Sequence, residues 1–263
     1  MDYLTALILG IVQGLTEFLP VSSSGHLEIT KEIFNADYQA KESLLMTVVL
    51  HFATALSTIF IFRKDILKIL RGIFIEKDDL ERQFATKIIF SMIPAAIVGV
   101  FFEDIIESFF NGQLILVATM LILTGLLLFL ADKSKESISQ ISFLNSFIIG
   151  ISQAIAILPG ISRSGATIAT SVILGVDKTA SAKFSFLMVV PLIFGKVLKD
   201  IFSGDILSES VSYGPLFLGF SAAFITGLFA CKWMISLVKA SKLKYFSFYC
   251  FIVAFSIIIW KFI

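Results

Sequence analysis

The lengths of the apolar stretches constrain this chain more than any other feature. A helix that crosses a bilayer needs about 20 apolar residues to cover about 30 Å at about 1.5 Å per residue. Six stretches meet that length on a generous reading, at about 45–62, 85–102, 114–131, 185–202, 215–235 and 245–262. Two others fall short. Residues 3–19 run into Pro20 and a serine run, and residues 143–158 run into Pro159-Gly160 and a second serine-rich run. Each is followed by a short segment, 26–34 or 166–175, too brief to cross alone. Broken backbone at membrane depth survives only where protein or a wet cavity surrounds it. The pattern therefore predicts an all-α polytopic membrane protein with six spanning helices and two re-entrant helix pairs, forming one integral membrane domain over residues 1–263.

Composition excludes the alternatives. Hydrophobic residues make up 57% of the 263. Counted with glycine and without tyrosine the share is roughly 61%, against about 45–50% in soluble domains. Charged residues are 16%, and the mean hydropathy is +0.94. A soluble globule of this length cannot hide that much apolar surface, because much of its skin must be polar. A soluble enzyme, a disordered chain and a secreted disulfide scaffold are all ruled out. The net charge of +1 carries no basic excess for nucleic acid. Cys231 and Cys250 both lie in apolar segments and read as buried free thiols. The first residues, Met1-Asp2-Tyr3, lack the basic start of a cleavable signal peptide, and none is expected.

Lys and Arg set the orientation. The 63–84 connection carries Arg63, Lys64, Lys68, Arg71, Lys77 and Arg82; 236–244 carries Lys239, Lys242 and Lys244; 132–142 carries Lys133 and Lys135. The 103–113 loop has Glu103, Asp104 and Glu107 without a basic residue, and 203–214 has only Asp205 and Glu209. The positive-inside rule puts the first three loops in the cytoplasm and the last two outside. Threading six spans through these sides leaves both termini outside, with the first re-entrant pair entering from outside and the second from the cytoplasm.

The two breaks are related. With a shift of 140 residues, Gly10, Ile11 and Gln13 fall on Gly150, Ile151 and Gln153, while Ser22, Ser24 and Gly25 fall on Ser162, Ser164 and Gly165. Six identities in sixteen positions, gathered at the breaks and joined to opposite entry sides, predict an inverted-topology repeat of about 1–131 and 143–263. In such folds the binding site lies near the midplane, where the broken helices meet.

The breaks also carry the chemistry. On the first helix Gln13 and Glu17 are four apart and share a face. Pro20 ends that helix, and Ser22, Ser23 and Ser24 start the next, where hydroxyls and open N–H groups form an anion site. The second break, Pro159-Gly160-Ile161-Ser162-Arg163-Ser164-Gly165-Ala166-Thr167, repeats the arrangement and adds Arg163. An arginine at the bilayer centre costs at least about 2.5–3.5 kcal/mol on insertion scales, so it needs a partner or a function. Its planar fork suits bidentate phosphate binding. A structural Glu17–Arg163 pair is the plain alternative, but such a pair does not require five serines, a threonine and a histidine on the same two turns. His26, beside Ser23 and Glu17, is a candidate base or nucleophile. His51, inside a span, reads as a packed helix residue, with a pocket-lining role as the alternative. Glu28 belongs at the mouth of the site or on a helix face, and the 28 phenylalanines read as lipid-facing and core bulk.

The segments Gln13-Gly-Leu-Thr-Glu-Phe-Leu-Pro-Val-Ser-Ser-Ser-Gly-His26 and Leu158-Pro-Gly-Ile-Ser-Arg-Ser-Gly-Ala-Thr167 closely resemble the two signature segments of the bacterial undecaprenyl-diphosphate phosphatases, the bacitracin-resistance proteins. The resemblance covers nearly the whole chain. It implies a multi-pass enzyme of the bacterial cell (inner) membrane that removes the terminal phosphate of undecaprenyl diphosphate. The product is the lipid carrier recycled for peptidoglycan and other wall polymers, and more enzyme confers bacitracin resistance. By the same resemblance Glu17, Ser23, His26 and Arg163 are the catalytic set, and Ser22, Ser24, Ser162, Ser164 and Thr167 support phosphate binding. Some members carry Glu where this chain has Gln13, which puts in doubt any mechanism needing two carboxylates. Gln13 can still ligate a cation through its amide oxygen, and a divalent cation, Mg²⁺ or Ca²⁺, is the expected cofactor at Glu17 and Gln13. The expected partners are undecaprenyl diphosphate and membrane lipid, with no nucleic acid; a homodimer is compatible. Ser23, activated by His26 or Glu17, is the preferred nucleophile, while a phosphohistidine at His26 and direct attack by water stay open. The competing class is a polyprenyl-phosphate flippase or transporter using the same midplane anion site. A structural scaffold, which predicts no polar constellation at membrane depth, fits poorly.

Overall fold

The computed structural model describes residues 2–34, 40–109, 113–134, 139–203, 213–240 and 242–263. They form twelve α-helices: α1 Tyr3–Phe18, α2 Ser23–Ile33, α3 Ala40–Ile61, α4 Arg63–Phe74, α5 Asp79–Phe101, α6 Glu103–Ser108, α7 Leu114–Asp132, α8 Phe143–Ile155, α9 Arg163–Ile173, α10 Lys178–Ser203, α11 Tyr213–Lys239 and α12 Leu243–Phe262. An isolated parallel bridge between Ser139 and Val176 is the β-structure among the described residues. Asp205, Glu209 and Lys135 lie outside the described residues, as do the side chains of Glu103, Asp104 and Glu107.

Among the described residues five helices are long and apolar enough to cross a membrane, or six with Leu45–Ile61 and Arg63–Phe74, bent by 74° at their junction, counted as one span. The five coincide with the predicted stretches at 85–102, 114–131, 185–202, 215–235 and 245–262, the sixth predicted stretch lies in the bent pair, and the protein is a multi-pass membrane protein. The bend is not expected from the sequence. Residues 63–74 read there as basic loop, yet Ile66, Ile69 and Ile73 fall at helical spacing and pack on the core, leaving Lys64, Lys68 and Arg71 on the other face. α4 is tied down at its surface by Lys68 to Glu81 at 2.6 Å and Asp65 to Lys183 at 2.5 Å. Exposed pairs of this kind add about 0–1 kcal/mol each.

The outer surface is what a lipid solvent permits. Phe217 is 73% exposed and Phe229 70%, whereas Phe18, Phe184 and Phe186 are buried. Both cysteines are buried and unpaired, as expected. Because lipid tails are as apolar as leucine, close packing and hydrogen bonds rather than hydrophobicity hold helices together here. The structure uses both. Ser57 Oγ donates to the Phe224 carbonyl at 2.8 Å between α3 and α11, and Ser247 Oγ to the Gly125 carbonyl at 2.7 Å between α12 and α7. Gly10 lets α1 lie against α11 at Gly219 and Ala222; Gly150 lets α8 lie against α5 at Ser91.

The short helices repeat at one offset. α1 begins at Tyr3 and α8 at Phe143, with Asp2 and Ser142 as N-caps that accept from the N–H groups of Thr5 and Asn145. α2 and α9 begin and end 140 residues apart. Packing is reciprocal as well: α1 of the first half lies along α11 of the second, and α8 of the second along α5 of the first.

A Cβ at Gly150 would sit 3.0 Å from the Ser91 Cα and collide with its carbonyl, while one at Gly99 on α5 would meet nothing within 4 Å. Gly150→Ala is expected to destabilise by about 1–3 kcal/mol through overpacking. Gly99→Ala should be neutral or stabilising by up to about 1 kcal/mol from helix propensity. Thermal unfolding of the two variants in one detergent checks the contrast; equal midpoints would contradict the close approach of α8 and α5.

Candidate active site

Each broken helix stops for an identifiable reason. α1 ends at Phe18, two residues before Pro20, whose missing N–H and ring oppose continuation. The chain then turns through Ser22, held at φ +70°, a left-handed conformation that costs a non-glycine residue about 1–3 kcal/mol. In the second break Gly160 takes the unusual conformation, at φ +97°, and has the Val117 backbone where a side chain would go. Both new helices then start alike. Ser22 Oγ accepts from the Gly25 N–H at 3.2 Å and Ser162 Oγ from the Gly165 N–H at 3.0 Å. Ser22 and Ser24 hydroxyls stand 3.3 Å apart, as do those of Ser162 and Ser164. These caps leave the first N–H groups of α2 and α9 as donors for a ligand.

The two turns nest against each other. A Cβ at Gly25 would lie 3.1 Å from the Gly160 Cα, and one at Gly165 would lie 3.2 Å from the Pro20 Cβ. Ser164 Oγ donates to the Leu19 carbonyl at 3.3 Å across the gap. Thr124 of α7 holds the second turn from behind, donating to the Gly160 carbonyl at 3.2 Å and accepting from the Ser162 N–H at 3.0 Å.

Glu17 is the hub. One carboxylate oxygen, Oε1, accepts from Arg163 Nη2 at 2.5 Å. The other, Oε2, accepts from Ser23 Oγ at 2.7 Å and from Gln13 Nε2 at 3.0 Å, and faces His51 Nε2 at 3.8 Å. Ser23 and Arg163 are the first residues of α2 and α9, so the carboxylate is bracketed by the starts of both half-helices. Arg163 also donates through Nη1 to the Ser185 carbonyl at 3.3 Å, which uses two of its five N–H groups and leaves the others for a ligand.

His26 is fixed from both sides. Its Nδ1 lies 2.8 Å from the Ser22 carbonyl, which can only accept, so Nδ1 carries a proton. In the neutral ring Nε2 then accepts from the Tyr249 hydroxyl at 2.9 Å, with the two rings stacked.

The predicted site residues therefore meet, but in two groups. Ser22, Ser162, Ser164 and Thr167 are buried and spend their hydroxyls on caps and cross-links, Thr167 bonding Ser185 Oγ at 2.5 Å. Ser23, Ser24, His26 and Arg163 are only partly buried. Gln13 is fully buried with Oε1 unpartnered, and Gln153 is buried with both amide atoms unpartnered. Glu28 is buried and bonded to Lys31 at 3.0 Å, away from the hub.

Three contributors do not stand out in the sequence: Ser185, Tyr249 and Thr124. His51 reads there chiefly as packing, yet it faces the carboxylate. The signal for it is a histidine inside an apolar span, which has a cost and so asks for a partner.

No cluster of three His, Cys, Asp or Glu side chains occurs among the described residues. The oxygens that a divalent ion would use are the buried, unpartnered Gln13 Oε1 and the remaining lone pair of Glu17 Oε1, with its other ligands drawn from substrate and water.

Residues 6–256 match the family described as bacitracin resistance protein BacA. A protein of Christiangramia forsetii named undecaprenyl-diphosphatase is 58% identical over 262 residues, covering 100% of this chain and 99% of its own. Proteins of the same name from Bacteroides fragilis and Methanococcus vannielii are 47% and 43% identical, each over 96% of this chain and 96% and 98% of their own.

Removing one partner of the Glu17–Arg163 pair strands the other in a poorly hydrated site. Glu17→Ala and Arg163→Ala are each expected to lower stability by about 3 kcal/mol, and the double replacement by Met to recover at least half of it. Thermal unfolding of the three variants tests this; simple additivity would show that the two charges do not depend on each other.

Proposed function

The chain belongs to the bacitracin resistance protein family, and we propose that it hydrolyses undecaprenyl diphosphate to undecaprenyl phosphate and inorganic phosphate. The observation that carries this is the meeting, around one carboxylate, of a serine hydroxyl, an arginine fork and two helix N-termini. The diphosphate lies at the nested turns. Arg163 and the open N–H groups of α2 and α9 neutralise the phosphoryl oxygens, the electrostatic work that phosphoryl transfer demands. As the guanidinium turns to the phosphate it frees Glu17 Oε1. Glu17 then takes the Ser23 proton through Oε2, and Ser23 Oγ attacks the terminal phosphorus. Undecaprenyl phosphate departs, leaving a phosphoserine, which water cleaves to free phosphate and regenerated Ser23. The 2.7 Å Ser23–Glu17 hydrogen bond supports this nucleophile. Both nitrogens of His26 are engaged elsewhere, which favours an orienting or phosphate-contact role for it. Of the sequence-predicted phosphate contacts, Ser24 remains at the mouth, while Ser22, Ser162, Ser164 and Thr167 shape the turns. A divalent cation held by Gln13 and Glu17 would supply positive charge to the diphosphate oxygens.

The inverted repeat belongs to this reading. Its support is the common offset of the short helices, the matched caps and the reciprocal packing of α1 on α11 and α8 on α5. The two breaks then enter from opposite faces and meet near the midplane, with the basic loops in the cytoplasm, both termini outside, and the enzyme in the cell membrane. One domain comprises both halves, and a single chain contains every residue of the site.

Phosphate release from purified protein given a C55 diphosphate tests the proposal. Ser23→Ala keeps the ion pair and should lose nearly all turnover, while Arg163→Lys, which keeps the charge and loses the fork, should lose about 10²–10³-fold. Chelation by EDTA reads the need for a cation. A folded Ser23→Ala protein with ordinary turnover would replace the serine with water or His26 as nucleophile; lipid movement across vesicles without phosphate release would make the protein a flippase.

A further inference from the structure

The helix α4 carries three stripes along its length. Residues three and four apart share a helix face, so Ile66, Ile69 and Ile73 form one stripe, Leu67, Leu70 and Phe74 a second, and Lys64, Lys68 and Arg71 a third. Each residue turns a helix by about 100°, which sets the second stripe between the isoleucines and the cations. The isoleucines pack on the core. The remaining side is covered as well: Asp65 pairs with Lys183 of α10, and a Cβ at Gly72 would lie 2.6 Å from the Glu81 Cβ of α5. The second stripe is left bare, with Leu67 53% exposed and Phe74 75%. Of the cations, Lys68 is taken by Glu81, while Lys64 and Arg71 are exposed and have no ion pair among the described residues.

We infer that α4 is an interfacial helix that binds anionic lipid, with Leu67, Leu70 and Phe74 sunk in the hydrocarbon and Lys64 and Arg71 holding phosphoryl headgroups above it. This role is separate from the reaction proposed above. Its position follows from the bend. α3 ends at Ile61, and α4 begins at Arg63, turned by 74°. A helix that turns so sharply at the end of a spanning segment runs along the bilayer surface. At that level an apolar stripe is received about 5–10 Å deep, at the boundary of headgroups and acyl chains.

Charge then selects the headgroup. The neighbouring carboxylates are engaged: Asp65 by Lys183, Glu81 by Lys68, and Asp78 in accepting from the Leu80 N–H, while Glu76 lies past the end of α4 beside Lys77. Lys64 and Arg71 are two turns apart, about 10 Å, so they reach separate phosphates. The guanidinium fork suits a phosphate, and the lysine stem lets its ammonium rise to the headgroup level. A zwitterionic headgroup brings its own ammonium, which both cations repel. The site therefore prefers lipids of net negative charge, in the cytoplasmic leaflet on the topology proposed above.

The test uses the whole protein in mixed micelles, with phosphatidylglycerol and phosphatidylcholine as probes. Native mass spectrometry counts the lipid retained, and thermal unfolding reads the stabilisation each lipid gives. Lys64→Gln/Arg71→Gln removes the cations at two exposed positions, which leaves the fold intact. Lys239→Gln/Lys244→Gln, also exposed, removes the same charge from the 236–244 connection and is the control. Wild type and control are expected to prefer phosphatidylglycerol by about fivefold for each of the two cations, and the α4 variant to lose that preference. A nitroxide on Leu67→Cys, selective because both native thiols are buried, should be reached by oxygen dissolved in the bilayer and shielded from a water-soluble relaxer. A wild type without preference, or an equal loss in the control, would overturn the inference, the latter by making the preference one of net charge. A label open to water would overturn it too. A label shielded from both reagents would assign the bare stripe to a second copy of the chain instead.

Discussion

The contact between Glu17 and Arg163 joins two stretches of chain 146 residues apart, and the architecture around it serves to make that contact tolerable. Each charge alone would be expensive at membrane depth. Together they still leave unfilled hydrogen-bonding capacity, which Ser23, Gln13 and the Ser185 carbonyl take up. Replacing a buried ion pair with apolar groups is often neutral or stabilising, so stability alone does not account for it. A pair whose arginine keeps further N–H donors beyond its two hydrogen bonds is suited to exchange one anion for another, and a phosphate is the anion its fork best matches.

Holding that pair requires the two breaks to approach backbone to backbone. Small residues at the contact permit it, with Gly25 on Gly160 and Gly165 on Pro20. The hydroxyls of Ser22 and Ser162 satisfy N–H groups that water would serve in a soluble protein, and Thr124 does the same for the second turn. In hydrocarbon these bonds are obligatory, because an unpaired backbone group has no solvent to fall back on. The strained φ of Ser22 persists within this frame, where its carbonyl accepts from both the N–H and the Nδ1 of His26.

Much of this is legible in the amino-acid sequence. The bilayer allows few spanning elements, so apolar length locates the spans, and proline followed by serine locates the breaks. Glu17, Ser23 and Arg163 stand out because polar groups in such a setting need a reason. What escapes has a common physical cause. Ser185 contributes a backbone carbonyl, which has no residue signature at all. Tyr249 meets His26 across 223 residues, on a helix face that reads as ordinary aromatic surface. The bend after α3 depends on an amphipathic stretch whose charges mask its three core-facing isoleucines. Periodicity describes an element's own faces, and it says nothing of what a distant element places against them.

The two halves show how one scaffold divides its labour. At the 140-residue offset Gly10 agrees with Gly150 and Gln13 with Gln153 inside the first helix of each pair, and Ser22 with Ser162, Ser24 with Ser164 and Gly25 with Gly165 at the turns. The positions that carry reactivity differ, with Glu17 against Ile157, Ser23 against Arg163, and His26 against Ala166. Agreement lies where helices pack closely and where the backbone turns, and difference lies at the carboxylate, the guanidinium and the imidazole. The first residue of each half-helix reaches the same carboxylate, one as a hydroxyl and the other as a guanidinium. A symmetric pair of turns would present two like groups to a substrate that is itself polar at one end and a hydrocarbon at the other. Divergence at the first two of these pairs supplies the asymmetry: an acceptor and a hydroxyl from one half, a cation and an aliphatic side chain from the other. The shared geometry of the turns is what brings those unlike groups within a hydrogen bond of each other.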